Sequence, residues 1–592
     1  MTASAVFERI THRADFCVVG GGLAGLCAAV SAARHGAKVV LMQERPVLGG
    51  NASSEIRMWV SGAHGRNMRE TGIIEELNLE NHYRNPDKNY SVWDGILYDL
   101  AVKTPGLELL MNCSCMDCEM RENRIASVSG WQMTTQTVHI VTADYYADCS
   151  GDSILAPMTG AEYRVGREAR SEFGESIAPE ISDRKTMGMS CLLQAREEAH
   201  PSRFIAPDWA YSYKKEDLLP YRFPNMSQIS ENYWYMEVGG DLNSIRDTEA
   251  CREELLKIAY GIWDYIKNDA ENRERNQYWR LDWIGMLPGK RESRRYVGDH
   301  IMTQDELTSG GHFDDIVAYG GWSMDDHNPL GFKTKEPPTI YYHAPSPYGI
   351  PYRSLYSKNI ENLFFAGRNI SVTHAVSSSC RVMATCALLG QAVGTAAALA
   401  ARDKISPRDV YAQDLEELQQ TLMADDCYLP YKKRIISALT LNARLECAGE
   451  AMDNLRNGLD RPIGEEDNGV TFPLGESITY YFDGIKKISN VRLVFDSDLN
   501  CETLPEYERL LPRNMICNRP LSLPDTYPPQ TLVRSYQIFV QTKDRWEKAV
   551  NEENNYQRLR RHEIHQAVSA VRFLPLTSWG APFCHMFSFD VS

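Results

Sequence analysis

The chain has 592 residues, 43% of them apolar and 24% charged, which is ordinary globular composition at a length that asks for about three structural units. A net charge of −16 supplies no basic face for phosphate backbones or anionic membranes, so nucleic-acid and membrane partners are excluded and solubility is the expected consequence. Fifteen cysteines, an odd number scattered through strand-like and helix-like segments, exclude a secreted disulfide scaffold. The opening MTASAVFERITHRAD carries no apolar core of a signal peptide or lipid anchor, and a cytoplasmic location is the expectation.

Asp15 to Asn51 organises the rest. Phe16 to Val19 is an apolar strand ending on Gly20, Gly22 and Gly25, a G-x-G-x-x-G turn that permits close approach of backbone N–H groups to a pyrophosphate. Leu23 to His35 follows as a helix of small residues whose N-terminus favours anions, and Gly36 stops it. Lys38 to Gln43 forms a second strand. It ends on Glu44, nineteen residues after Gly25, where a carboxylate can bind both hydroxyls of an adenosine ribose. An acid at that point favours a free ribose over a 2′-phosphate, which leaves FAD or NAD. Arg45, Gly49, Gly50 and Asn51 then continue as E-R-x-x-x-G-G-N. This resembles the second glycine pair of FAD-binding oxidoreductases of the glutathione reductase and fumarate reductase kind, and the resemblance implies that the pair leads the chain toward a flavin.

Further along, Ser53, Ser54 and His64 are placed to sit under an isoalloxazine ring, and Asn78 to Lys103 reads as mostly helical. Leu107 to Asp148 reads as a strand meander with a turn at Glu122-Asn123. Cys113, Cys115 and Cys118 offer only three ligands within it, so no metal is expected. Cys149-Ser150-Gly151-Asp152 resembles the A-T-G-D segment by which this flavoprotein class returns to its FAD domain. That likeness implies a glycine close to the cofactor and an aspartate capping the next helix. Arg170 to Pro347 is aromatic-rich and irregular, as an inserted substrate domain would be. Arg291, Glu292, Arg294 and Arg295 there suit either an anion clamp or an arginine–glutamate structural network. Trp322, Asp325, Asp326 and His327 suit either an oriented general base or an Asx-turn before Pro329.

Leu363 to Ala366 is a buried strand ending at Gly367, and Val382 to Ala401 is a helix with Gly390, Gly394 and many alanines. Within it, Met383 to Ala400 has the length and apolarity of a bilayer span but reads as a buried helix. Strand, loop and helix resemble the C-terminal FAD segment of the class, whose helix N-terminus points at the flavin O2. Gly367, Arg368, Arg381 and Met383 become cofactor contacts by that likeness, with Arg368 standing where an acidic residue is frequent. From about Ser437 onward period-two alternation dominates, as in Val491, Leu493, Phe495 and Tyr536, Ile538, Val540, which predicts a β-sandwich. Its last hairpins resemble the galactose-binding-like (discoidin-type) jelly roll, leaving sugar binding, a structural brace and a subunit contact all open.

Together these segments resemble the FAD-dependent oxidoreductase family over roughly residues 14–425. The implied fold is α/β: a Rossmann-like FAD-binding domain (1–60, 106–169, 348–402), an inserted α+β substrate domain (61–105, 170–347), a helical linker (403–436) and a C-terminal β-sandwich (437–592). The implied function is hydride transfer between flavin N5 and a small substrate such as a sugar, polyol or related hydroxy compound. His374, His327 and His64, in that order, are the candidate bases, and Arg291 and Arg381 hold substrate or flavin charge. The alternatives are a fumarate-reductase-like reductase of an activated double bond and a non-catalytic flavoprotein that binds a glycan through its sandwich.

Overall fold

The computed structural model describes residues 6–229, 231–269, 271–504, 515–543 and 545–592. Contacts divide the chain into two compact units. One comprises Met1–His64, Lys88–Leu418 and Arg513–Pro524, the other Gly65–Asp87, Gln419–Pro512 and Asp525–Ser592.

In the first unit, β1 (Glu8–Val19) buries its last four residues, Phe16 to Val19, as a central parallel strand covered on both faces must. α1 (Leu23–Arg34) is buried along nearly its whole length, which its run of alanines and small residues permits. β2 (Val39–Met42) pairs parallel with β1, Phe16 opposite Val39. α2 (Tyr90–Val102), capped by the Asn89 side chain, is a crossover that brings β3 (Leu107–Leu110) back parallel to β2. Leu107 to Leu110 is therefore an edge of the main sheet and not the start of the meander that alternation suggests. β4 (Cys113–Arg121) and β5 (Arg124–Gln132) form the hairpin turning at Glu122, whose φ is +54°. β6 (Thr137–Asp148) pairs with β5 along its first half and parallel with β1 along its length.

The inserted region builds a separate core. α3 (Thr248–Asn268) turns Leu255, Ile258, Ile262, Trp263 and Ile266 inward at helical spacing, packing with Leu193, Ala195, Trp279 and Ile284 of neighbouring strands. β7 (Met324–His327) and β8 (Thr339–Tyr342) make an antiparallel ribbon. The chain then returns to the main sheet as β9 (Leu363–Phe365), parallel to the end of β6. After the short α4 (His374–Cys380) comes α5 (Met383–Asp403), which is long and apolar enough to cross a membrane by composition and is buried from Ala384 to Ala400 in this protein.

α5 lies directly against α1. A Cβ on Gly390 would stand 2.0 Å from the Ala24 oxygen, and one on Gly394 2.1 Å from the Ala28 oxygen. Ser31 and Thr395 hydroxyls meet at 2.9 Å across the same seam.

The second unit is a sheet of antiparallel strands in the order β10 (Val470–Pro473), β15 (Phe583–Val591), β11 (Ile478–Phe495), β14 (Leu559–Ser578), β12 (Val533–Thr542) and β13 (Arg545–Glu552). The long strands β11 and β14 shift register along their pairing, as strands bending round a sandwich do. Tyr480, Val491, Leu493, Phe495, Ile538, Phe573 and Phe589 fill the core, joined by Leu79 from the helix Ile73–Arg84.

Overpacking a helix seam of this kind is costly, so Gly390→Val is expected to lower stability by about 1–3 kcal/mol in urea unfolding. Gly95, exposed in α2 with no atom near its Cβ position, is the control: Gly95→Ala is expected to raise stability by about 0.5–1 kcal/mol.

Candidate functional site

Three parallel strands end side by side, and the glycines sit at their ends. Gly20 closes β1 at φ +102°, and a Cβ there would lie 2.6 Å from the Cys149 carbonyl and the Ser150 Cα. A Cβ on Gly25 would lie 1.8 Å from the Gly20 oxygen, so only glycine lets α1 start against the turn. A Cβ on Gly22 would instead meet, among the described residues, only the Gly50 Cα, at 3.9 Å. Gly22 caps α1 without a side-chain hydrogen bond, leaving first-turn N–H groups to an outside acceptor. Gly49 donates its N–H to the Gly21 oxygen at 2.9 Å and brings Gly50 back over Gly22, while Asn51 Nδ2 donates to the Lys290 oxygen at 3.0 Å.

Gln43 gave no sequence signal beyond ending a strand. Its Oε1 accepts the Gly21 N–H at 2.7 Å and its Nε2 donates to the Val47 oxygen at 2.8 Å, pinning the turn to the loop that follows. Glu44 next to it is 64% exposed, and the Arg45 guanidinium lies 3.6 Å from Glu44 and 3.5 Å from Glu55. Both nitrogens, Arg45 Nε and Nη1, are buried, and among the described residues neither has a hydrogen-bonded acceptor. An open glycine cradle and an exposed carboxylate closing the second strand fit a diphosphate-bridged dinucleotide such as FAD.

The second and third strand ends carry Asp148 to Asp152 and Ala366 to Arg368. Asp148, another residue the sequence did not mark, is buried and accepts hydrogen bonds from Ser150, Leu155 and Tyr296. It thereby ties the glycine turn at Gly151 (φ +77°) to the strand. Asp152 pairs with Lys290 at 2.6 Å and Arg368 at 2.9 Å, and these cations outweigh burial to hold its carboxyl below the usual range. Gly367, at φ +112°, faces Ala24 in the first turn of α1.

At the other end of the cradle, the loop after the glycine pair runs back over α5. Ser53 and Ser54 serve the loop itself: Ser53 Oγ donates to the Gly50 oxygen, and Ser54 N–H donates to Asp94. Arg57, in the left-handed region at φ +59°, stacks between the rings of Tyr90 and Trp283. Ser61 accepts the Ala384 N–H of α5 at 2.9 Å, and His64 N–H donates to the Gly321 oxygen at 3.0 Å. The His64 ring stacks on Trp322 at 4.1 Å. Burial pushes its pKa below 6.5, outweighing the nearby Asp325 carboxylate. Met383, half-buried, opens α5 just after Arg381.

β7 alternates its side chains, and Asp325 and Asp326 therefore enter two different charge chains. Asp325 meets Arg381 at 3.2 Å and His327 Nε2 at 3.2 Å. His327 Nδ1 meets Glu237 at 2.6 Å, and Glu237 meets Arg291 at 3.4 Å. Arg291 spends its remaining donors on Ser190 Oγ and the Gly188 and Trp234 oxygens, so it is a strut of the network and not an open clamp. Asp326 meets His374 Nε2 at 3.2 Å. His374 Nδ1 meets Glu292 at 2.9 Å, and Arg295 joins Glu292 to Glu168. Burial alone would lower the His374 pKa, but Glu292 and Asp326 outweigh it and raise it to about 10. Arg381 differs from Arg291 in keeping a buried Nε that has no acceptor among the described residues.

The candidate residues thus form three groups. Gly20, Gly22, Gly25, Gly49, Gly50, Asn51, Gly151, Asp152, Gly367 and Arg368 share the strand ends, with Glu44 and Arg45 closing β2. His64, Arg381 and Met383 gather at the start of α5. His327 with Arg291, and His374 by itself, lie in the two buried chains.

A family model described as FAD dependent oxidoreductase matches residues 15–422. No curated protein matches the chain. Among solved structures, a geranylgeranyl bacteriochlorophyll reductase-like protein from Thermoplasma acidophilum aligns at 12% identity over 70% of this chain and 84% of its own, with a TM-score of 0.30. Chitosan-binding module 1 of a Paenibacillus sp. IK-5 chitosanase/glucanase aligns at 12% identity over 26% of this chain and 97% of its own, TM-score 0.18. The family 32 carbohydrate-binding module of C. perfringens NanJ aligns at 7% identity over 26% and 95%, TM-score 0.18.

His374 is expected to stay doubly protonated near neutral pH while His64 is neutral, read from imidazole NMR with His374→Gln and His64→Gln spectra for assignment. A His374 that titrates near 6.5 contradicts the double-carboxylate clamp. Because its folded pKa lies above 6.5, its contribution to stability is complete below that pH and is lost as pH rises through about 10. Removing the cation leaves buried carboxylates uncompensated, and His374→Gln should cost roughly 3–5 kcal/mol in unfolding experiments.

Proposed function

Because the chain belongs to the FAD dependent oxidoreductase family, we propose that it oxidises a small hydroxyl-bearing substrate, a sugar, polyol or related compound, with His64 as the base. FAD, when bound, supplies the hydride acceptor. The glycine turns would hold its diphosphate and Glu44 its adenosine ribose. Arg381 and the N-terminus of α5 would offer positive charge to the ring.

His64 takes the hydroxyl proton at a ring nitrogen. One observation carries this assignment. Among the three candidate histidines, His374 and His327 are each held between two carboxylates, whereas among the described residues no carboxylate is bonded to the His64 ring. A base must be neutral at working pH, and the lowered pKa of His64 meets that condition where the raised pKa of His374 does not. Trp322 fixes the ring plane, and the Ser61–Ala384 bond holds its loop to α5. His374 then acts as a positioning cation that joins α4 to the substrate region.

A second reading, reduction of an activated double bond, is supported by Arg381, whose guanidinium just before α5 would hold a substrate carboxylate.

Anaerobic mixing of the FAD-loaded protein with a panel of sugars, polyols and unsaturated acids tests both. Bleaching by a hydroxy compound supports the first reading, and reoxidation of chemically reduced protein by an enoate supports the second. In the first case His64→Gln should slow flavin reduction by about 10²–10⁴-fold with FAD content unchanged. The wild-type rate should rise with pH to a plateau reached through a pKa below 6.5. Unaltered reduction in His64→Gln removes His64 from the chemistry.

A further inference from the structure

Asp152 faces two cations. Lys290 Nζ lies 2.6 Å from Oδ2 and Arg368 Nη2 lies 2.9 Å from Oδ1. Among the described residues neither cation has a second carboxylate, so this largely buried cluster carries a surplus positive charge. Such a charge is strongly unfavourable unless a counter-ion meets it.

The placement of the surplus is specific. A Cβ on Gly151 would lie 2.5 Å from Arg368 Nη1, so the glycine is what lets the guanidinium lie over the turn at the end of β6. Gly367, immediately before Arg368, faces Ala24 of the first turn of α1. The Arg368 side chain is only 18% exposed, and among the described residues its buried Nε has no acceptor. The guanidinium therefore lies over the Gly151 turn at the end of β6, one residue after the glycine that follows β9.

We propose that Arg368, anchored by Asp152, is a diphosphate-binding residue of the FAD cradle. A planar guanidinium matches phosphate oxygens through directed, charge-assisted hydrogen bonds, which an aspartate at this position could not make. The proposal rests on the FAD reading of the cradle and goes beyond it in assigning the diphosphate a side-chain partner at the third strand end.

Calorimetric titration of the full-length apoprotein with FAD, ADP and adenosine tests it, using wild type, Arg368→Gln and Arg368→Lys. Arg368→Gln should weaken FAD and ADP by about tenfold or more, leave adenosine unchanged, and flatten the salt dependence of FAD binding. Arg368→Lys, which keeps the charge and the pairing with Asp152, should fall between. Equal losses for ADP and adenosine, or an Arg368→Gln protein that binds FAD as wild type does, would overturn the assignment. Wild-type apoprotein that takes up neither FAD nor ADP would instead overturn the cofactor reading together with it.

Discussion

The backbone contact between α1 and α5 is the constraint from which the site follows. Gly390 and Gly394 place α5 against the carbonyls of Ala24 and Ala28, leaving no room for even a methyl group. Helices held that closely cannot slide, because packed interiors lack the free volume for it. Fixing α5 along its axis fixes its first turn, and the Ser61–Ala384 hydrogen bond transmits that position to the loop carrying His64. The start of α1 and the start of α5, with the loop that carries His64, are therefore set by one interface.

The second organising fact is the partition of charge. Burying ionised groups is expensive unless each is paired, and paired groups become stiff. β7 sends Asp325 toward Arg381 and His327, and Asp326 toward His374, so one short strand braces α4, the Arg381 turn and the inserted region at once. Facing cations outweigh burial and hold Asp325, Asp326, Glu237 and Glu292 ionised. Groups locked this way cannot exchange protons easily near neutral pH. His64, stacked on Trp322 outside both chains, keeps that freedom.

The glycine turns, the second strand, the return strand after residue 360 and the long alanine-rich helix were all legible in the sequence. Backbone conformation and close approach admit so few residue types at Gly20, Gly25, Gly390 and Gly394 that their spacing is diagnostic. The sandwich was legible because alternation records which face is buried. The charge environment of the histidines was not legible. His374 sits in a run of small and hydroxylated residues, and nothing there announces Glu292 or Asp326, which come from distant parts of the chain. Gln43 and Asp148 were invisible for the related reason that their work is to hold backbone N–H groups, a task their neighbours in sequence do not reveal. Arg291 stood out as a charge in a basic patch, yet its donors are consumed by Ser190, Glu237 and two carbonyls. The helical stretch read from Asn78 to Lys103 is two helices, Ile73–Arg84 and Tyr90–Val102, and the membership of the first in the unit that contains the sandwich depends on Leu79 joining that core, which local pattern does not encode.

A crystal structure of the protein loaded with FAD tests the central claim most directly. The account predicts the diphosphate over Gly22, the adenosine hydroxyls on Glu44, and the flavin ring against the first turn of α5 beside His64. A flavin ring lying away from both α5 and the Ser61–His64 loop would contradict it.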